Sequence, residues 1–201
     1  MQWHKPAAYF ALGFLVALTC TANAQDQSLC AIDVRTAPAA SDNKHAFDFE
    51  LGTWKAHTWR RLKPLSGSSI WDQYEGIEVV RKVGSGAAIL LEFYAEGPAG
   101  HLDGLSLRMY DAAAQRWTLY YPGAASGATL IAATGSFIGD QVEFCSQDAF
   151  DGKAIVVRSA WSASVRDARF FERSFSVDGR RTWEVNWITT YTRVDASDEV
   201  R

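Results

Sequence analysis

Apolar and polar side chains alternate in short runs between Phe47 and Arg193, and Gly, Asp or Pro interrupts the pattern about every 10–15 residues. This period of two, in stretches rich in aromatic and β-branched residues, predicts β-strands. Asp151-Gly152 and Asp178-Gly179 are typical hairpin turns, and Gly139-Asp140 is a weaker one. We predict ten strands, near residues 53–62, 71–82, 87–96, 104–110, 115–121, 129–137, 141–148, 153–162, 168–176 and 182–193.

The connections between these predicted strands are short. Sequential strands joined by hairpin-length connections predict an all-β, antiparallel up-and-down barrel, because closing the sheet removes its exposed edges. A β-sandwich is the alternative architecture, although Greek-key sandwiches need some long crossings. A barrel of about this strand number has an interior wide enough for one small ligand.

The N-terminus carries the features of an export signal. A short basic stretch precedes the apolar residues 7–18, which are too few to span a bilayer, and Ala22-Asn23-Ala24 matches a cleavage site. We therefore predict a mature chain that starts at Gln25 and is periplasmic or secreted. A lipoprotein with lipid on Cys20 is the alternative, although the threonine before it is unusual in that position.

The chain divides into four predicted segments. The linker has no hydrophobic periodicity and is rich in Ala, Ser, Asp and Thr. Beyond the signal, no apolar run is long enough to cross a membrane as a helix. The segments are a signal peptide (1–24), a flexible linker (25–45), a β-barrel domain (46–193) and a disordered tail (194–201).

Charge, cysteines and histidines exclude several classes of function. A formal net charge of −3 argues against a nucleic-acid partner, which would need a basic surface. Cys30 and Cys145 remain after signal removal and predict one disulfide in an oxidising compartment, with two unpaired thiols as the alternative. His45, His57 and His101 lie far apart without carboxylates or cysteines at ligand spacing, so we predict no metal, haem or other cofactor.

The stretch from Ser176 to Trp183 resembles an Asp-box turn, S-x-D-x-G-x-T-W, with Arg180 in place of the second glycine. In such a turn Asp178 accepts hydrogen bonds from backbone N–H groups and the tryptophan covers the loop. A propeller would need several copies. The single copy therefore predicts a structural staple for a hairpin and not a glycosidase.

Gly52-Thr53-Trp54 opens the first predicted strand, and Arg193 ends the last. This pair resembles the motif of lipocalin-type (calycin) barrels. The resemblance implies that Trp54 plugs the closed end of the barrel and that Arg193 stacks over it, a cation–π contact worth about 2 kcal/mol when shielded from water.

A wider resemblance covers about three quarters of the chain. It implies an exported lipocalin-like barrel with a ligand cavity and no established reaction, as in a bacterial family whose function is unknown. The stretches that carry it are residues 47–54, 105–111 with 115–117, 156–158 with 161–162, and 176–187.

Three predicted strands have one apolar and one polar face. In 104–110, for example, two leucines and a methionine alternate with Ser106, Arg108 and Tyr110. Either the apolar faces fill the barrel, or the polar faces point inward and form a pocket whose arginines bind a carboxylate. The second interpretation gives a candidate ligand site of Arg108, Tyr110, Trp117, Arg158, Glu172, Glu184 and Asn186.

Aromatic residues make up 13% of the chain, and they either pack across the strands or line a cavity. We predict a binding barrel for a small hydrophobic or amphipathic molecule with an acidic head group. One alternative is an enzyme with Glu172 or Glu184 as general base and an arginine that stabilises a developing anion. The other is a structural envelope protein with a filled barrel.

Overall fold

β-Strands form most of the regular structure in the computed structural model, which describes residues 43–194 except 115, 125–128, 139–140 and 166. For residues 43, 136–138 and 163–165 only the backbone is described. The predicted signal peptide with Cys20, the linker through residue 42 with Cys30, the turn at 139–140 and residues 195–201 of the predicted tail lie outside the described residues. The ten strands are β1 (Gly52–Arg61), β2 (Trp71–Val83), β3 (Ala88–Gly97), β4 (Gly100–Asp111), β5 (Arg116–Pro122), β6 (Leu130–Ile138), β7 (Gln141–Phe150), β8 (Lys153–Val165), β9 (Ala168–Ser176) and β10 (Glu184–Arg193).

The strands form one closed antiparallel barrel. Each strand pairs with its neighbours in sequence, and β1 also pairs with β10, so the sheet has no free edge. The prediction of a ten-stranded up-and-down barrel is confirmed, and the sandwich alternative is wrong. Helical structure in the described part of the chain is limited to three 3₁₀ turns, Asn43–His45, Asp48–Glu50 and Gly84–Gly86. No helix there is long and apolar enough to cross a membrane.

The closed end of the barrel is built around Trp54, which is only 1% exposed. Its indole Nε1 donates a hydrogen bond to the backbone oxygen of Glu50 at 2.7 Å. The guanidinium carbon of Arg193 lies 4.0 Å from the centroid of the indole ring. Arg193 also donates hydrogen bonds to the backbone oxygens of Leu51 and Phe49, which hold it over the ring.

Steric constraints explain why the first residue of the Gly-x-Trp motif is glycine. Gly52 has a φ of +119°, a conformation that L side chains rarely adopt. A Cβ at this position would stand 2.7 Å from Nη1 of Arg193. Gly52 therefore allows the arginine to close over Trp54.

The segment before β1 folds into the closed end as a plug. Phe47 is fully buried, and its ring centroid lies 5.0 Å from that of Trp117 and 5.9 Å from that of Phe144. The 3₁₀ turn Asp48–Glu50 then carries the Glu50 side chain, also fully buried, into the barrel. The predicted strand-opening motif thus contributes a carboxylate to the interior as well as a tryptophan.

The loop between β1 and β2 covers part of the opposite end. Leu65 packs against a small apolar cluster formed by Ile155, Val157 and Phe175. Its backbone N–H donates a hydrogen bond to Oε1 of Glu184 at 2.7 Å. Glu184 therefore anchors this loop at the start of β10.

Asp178 organises the hairpin turn between β9 and β10. Its Oδ1 accepts hydrogen bonds from the hydroxyl of Ser176 and from the backbone N–H groups of Arg181 and Thr182, and its Oδ2 accepts one from the Thr182 hydroxyl. These hydrogen bonds, those from Thr182 first, lower the pKa of the Asp178 carboxyl. Arg180, which replaces the usual glycine, has a φ of +76°.

On β4 the polar face points into the barrel and the apolar face points outward, which is the reverse of the apolar-inside interpretation. Ser106 and Arg108 are buried, whereas Leu105 and Met109 are 48% and 44% exposed. The interior accepts the arginine because Glu50 pairs with it there, with 2.5 Å between Nη1 and Oε2. On β8 the apolar-inside interpretation does describe the structure.

Candidate functional site

The barrel contains a partly open cavity of about 220 Å³. Typical small-molecule pockets measure about 300–1,000 Å³, so the size favours a small ligand. Its aromatic lining residues are Phe93, Tyr121, Trp161, Phe171, Trp187 and Tyr191. Its other apolar lining residues are Leu91, Leu105, Leu119 and Pro122. Its charged lining residues among those described are Glu78, Asp103 and Arg173.

Part of the cavity wall comes from the first half of β4, before its described pairing with β5 begins. The described pairing of these strands begins at Leu107 and Tyr120, although β4 itself begins at Gly100. Leu105 and Ser106, in the part of β4 without a described partner on β5, both line the cavity.

Arg173 brings a positive charge to the cavity wall. Its guanidinium carbon lies 5.0 Å from the ring centroid of Trp187 and 5.2 Å from that of Phe175. Its Nε donates a hydrogen bond to Oδ1 of Asn186 at 2.9 Å. Among the described residues, no carboxylate forms an ion pair with this guanidinium. Burial lowers the pKa of Arg173 to about 10, so the group remains a cation at neutral pH.

Asn186 owes its position to a β-bulge. Val185 pairs with Ser174, and Trp187 pairs with Arg173, so that Asn186 is an extra residue on β10 without a partner on β9. The bulge buries Asn186 completely and places its amide oxygen against Arg173. Asn186 therefore orients the arginine without neutralising it.

Four buried charged residues form a cluster beneath the cavity. Glu50 pairs with Arg108, and Glu78 pairs with Arg169, whose Nη1 also lies 3.6 Å from Glu50. All four side chains are at most 3% exposed. Two carboxylates and two guanidiniums cancel in charge, which is the condition for placing such groups in a barrel interior.

Aromatic rings surround this cluster. The Arg108 guanidinium carbon lies 4.9 Å from the ring centroids of both Phe47 and Trp161. The Arg169 guanidinium carbon lies 4.4 Å from that of Trp54 and 4.1 Å from that of Tyr191. These cation–π contacts in a shielded site partly replace the hydration that the arginines lose.

Glu78 connects the charged cluster to the cavity. Its Oε1 accepts a hydrogen bond from Arg169, and its Oε2 accepts one from the Tyr191 hydroxyl at 3.0 Å. Burial raises the pKa of Glu78 against the opposing attraction of Arg169. Burial, and then the charge of Glu78, raise the pKa of Tyr191 well above its ordinary value. For Arg169, the attraction of Glu78 and Glu50 outweighs the opposite effect of burial, and its pKa is raised.

The structure separates the arginines that the polar-pocket interpretation placed together. Arg108 points inward but does not line the cavity, because Glu50 holds its charge at the closed end. Arg158 lies between Val157 and Ser159, both of which are buried, and therefore points to the outer face of the barrel. There Arg158 pairs with Glu172 at 3.1 Å. This departs from the expectation that both arginines and Glu172 would line one pocket.

The remaining predicted ligand residues do not line the cavity either. Glu184 holds the β1–β2 loop. Tyr110 and Trp117 stand opposite each other on β4 and β5 with ring centroids 5.3 Å apart and pack in the core, not on the cavity wall. Of the predicted ligand residues, only Asn186 touches the cavity cation. Trp183 packs on the outer face, where the Arg158 guanidinium carbon lies 5.0 Å from its ring centroid.

Sequence reasoning missed Glu50, Glu78, Arg169 and Arg173. On β9 the signal was available, since Arg169, Phe171, Arg173 and Phe175 share one face of the strand. That face carries both bulky aromatic rings and arginines, and Glu172 between them belongs to the other. Glu50 gave no periodic signal, because it precedes the first strand.

Geometry and topology together define the class of protein: a lipocalin-like barrel with an internal cavity. No protein-family model and no curated protein matches the sequence. The S-type phycobiliprotein lyase CPES from Guillardia theta is similar in structure, with a TM-score of 0.53 and 9% sequence identity over 78% of this chain and 94% of that chain. Identity at this level shows a common fold and nothing about the ligand.

A second structural neighbour is a protein of unknown function from the DUF3598 family of Nostoc punctiforme. It is 9% identical over 77% of this chain and 100% of that chain, with a TM-score of 0.22. A score this low does not establish a common fold. The resemblance to an exported bacterial family stays a prediction.

Proposed function

We propose that this protein binds a small, mostly apolar molecule with an acidic head group, and that Arg173 holds the head group. The observation that carries the proposal is a guanidinium on the wall of an aromatic cavity with a neutral amide, and no carboxylate among the described residues, as its hydrogen-bond partner. The phycobiliprotein lyase with a similar fold supports a small-molecule role for this kind of barrel, without indicating which molecule.

The energetics favour an anionic ligand. Arg173 is half-buried on the cavity wall, where a cation without a counter-ion is unfavourable, and an anion beside it would relieve part of that cost. A carboxylate could accept two parallel hydrogen bonds from the free Nη groups of Arg173, while Nε remains bonded to Asn186. Ser106 also lines the cavity, and its buried hydroxyl has no hydrogen-bond partner among the described residues. The cavity thus offers the Arg173 guanidinium to an acid and aromatic rings to its apolar body.

The two alternatives from the sequence receive less support. An enzyme with Glu172 or Glu184 as general base would need one of them in the cavity, and neither lines it. A structural protein with a filled barrel is not favoured either, because the cavity is present.

Removal of the Arg173 charge should abolish the preference for acids. Loss of a charged hydrogen bond costs about 1.5–3 kcal/mol, so we expect Arg173→Met to bind benzofuran-5-carboxylate about 10–100-fold more weakly than the wild type. Binding of the uncharged methyl ester should change little. Titration calorimetry, or quenching of the cavity tryptophans, measures both Kd values.

Arg158→Met is the matched control, because it removes an arginine of the same barrel from the outer face. This variant should bind the acid as the wild type does. Equal binding of acid and ester by the wild type, or equal loss in both variants, would contradict the proposed role of Arg173.

We also propose that the protein acts outside the cytoplasm, with the chain cleaved before Gln25 and Cys30 joined to Cys145. Cys145 is buried on β7, whereas Cys30 lies outside the described residues. Protein from the envelope fraction should begin at Gln25, and peptide mapping without reductant should show the linked pair. A lipid-modified Cys20 would replace this proposal by a lipoprotein, and two alkylated thiols would exclude the disulfide.

A further inference from the structure

The cavity has a second polar end, formed by Glu78 and Tyr191, both of which line it. Arg169, which pairs with Glu78, and Arg173 lie four residues apart on one face of β9. Four residues of a strand span roughly 13 Å. The basic group and the acidic group that meet the cavity therefore stand at different levels of the barrel.

This second end is rich in hydrogen-bond acceptors. An ionised carboxylate offers about four lone-pair sites. Arg169 occupies one site on Oε1 of Glu78, and the Tyr191 hydroxyl occupies one on Oε2. Because Tyr191 gives its only proton to Glu78, its oxygen can then only accept. A ligand that reaches this end meets groups that take hydrogen bonds.

We propose that the ligand carries a hydrogen-bond donor, an N–H or O–H group, at the end remote from its acidic head, and that Glu78 accepts this hydrogen bond. The inference rests on the proposed function, since it assumes that the acidic head lies at Arg173. It narrows the ligand class to mostly apolar acids with a donor opposite the carboxylate. A ligand of the same shape without the donor would cover a buried acceptor and leave it unpaired, which is how such sites discriminate.

The test compares ligands of equal shape on the full chain. Indole-5-carboxylate has an N–H group opposite its acid, and benzofuran-5-carboxylate has an ether oxygen at the same place. Calorimetry on the wild type should give a Kd at least about tenfold lower for the indole. Equal Kd values for the two acids would overturn the inference.

Two substitutions should move this ratio in opposite directions. Tyr191→Phe removes the donor to Oε2 of Glu78 and frees an acceptor site, so the indole preference should grow. Glu78→Gln removes the charge that strengthens the hydrogen bond, so the preference should shrink several-fold. A purely steric effect would change both Kd values alike and leave the ratio unchanged in both variants, which would also overturn the inference.

The outcomes separate this inference from the proposed function. If neither acid binds, or if both bind Arg173→Met as well as the wild type, the proposed function fails. If both acids bind in an Arg173-dependent way without preference for the indole, only the role of Glu78 fails. Should Glu78→Gln not fold, the wild type and Tyr191→Phe still decide the question.

Discussion

Replacement of Trp54 by alanine should lower the free energy of unfolding by about 3–5 kcal/mol, the usual cost of deleting a large buried aromatic side chain. Trp54 is 1% exposed, and its ring stacks against Arg193 near the surface and against Arg169 in the interior. The substitution removes both cation–π contacts and the hydrogen bond to the Glu50 backbone. Denaturation by urea, followed by circular dichroism, measures the change.

Trp59→Ala is a suitable comparison, because this tryptophan lies on the same strand but is not buried in the core. It should cost much less than Trp54→Ala. If the two variants had equal midpoints, Trp54 would not be the plug of the closed end.

The fold could be predicted from the sequence for two physical reasons. Period-two alternation with hairpin turns leaves few architectures other than a closed antiparallel sheet, since an open sheet of this length would expose two edges. The Gly52-x-Trp54 motif and Arg193 then locate the closed end, because only a glycine allows the arginine to approach. The alternation and the turns are local in sequence, whereas Trp54 and Arg193 identify the first and last strands, which meet where the barrel closes.

Which face of β4 points into the barrel could not be predicted in the same way. Hydrophobic periodicity assumes an apolar interior, but this barrel contains a charged cluster, and the partner of Arg108 is Glu50, which lies before the first strand. Leu105 and Met109 are exposed as a consequence. A pairing between a turn and a distant strand leaves no periodic trace.

The residues of the candidate site were also not predictable from hydrophobic periodicity. Arg173 and Glu172 are neighbours on β9 and point to opposite faces of the strand. A sequence prediction that assigns the wrong face to the interior therefore places the Glu172 carboxylate in the cavity instead of the Arg173 cation. Asn186 reaches Arg173 through a one-residue bulge on β10, which shifts the alternation there. A bulge of this kind depends on how two strands pair and cannot be predicted from the sequence of either strand alone.

The charged cluster gives the second large expected effect. Arg108→Met should destabilise the protein by about 3–5 kcal/mol, because it leaves the Glu50 carboxylate buried beside only the more distant Arg169. Glu50→Gln should also destabilise it, since it removes the counter-charge of Arg108. Chemical denaturation of each variant gives these values.

The double variant Glu50→Gln/Arg108→Met tests whether the cost is that of a broken pair. With both charges gone, the interior is again neutral, and Glu78 still balances Arg169. Replacing a whole buried ion pair is often close to neutral, so the double variant should be more stable than Arg108→Met, with a coupling energy of about 2–3 kcal/mol. Arg158→Met, at a partly exposed pair on the outer face, should cost no more than about 1 kcal/mol. Additive costs in the double variant would mean that Arg108 stabilises the barrel by packing between Phe47 and Trp161 and not through its charge.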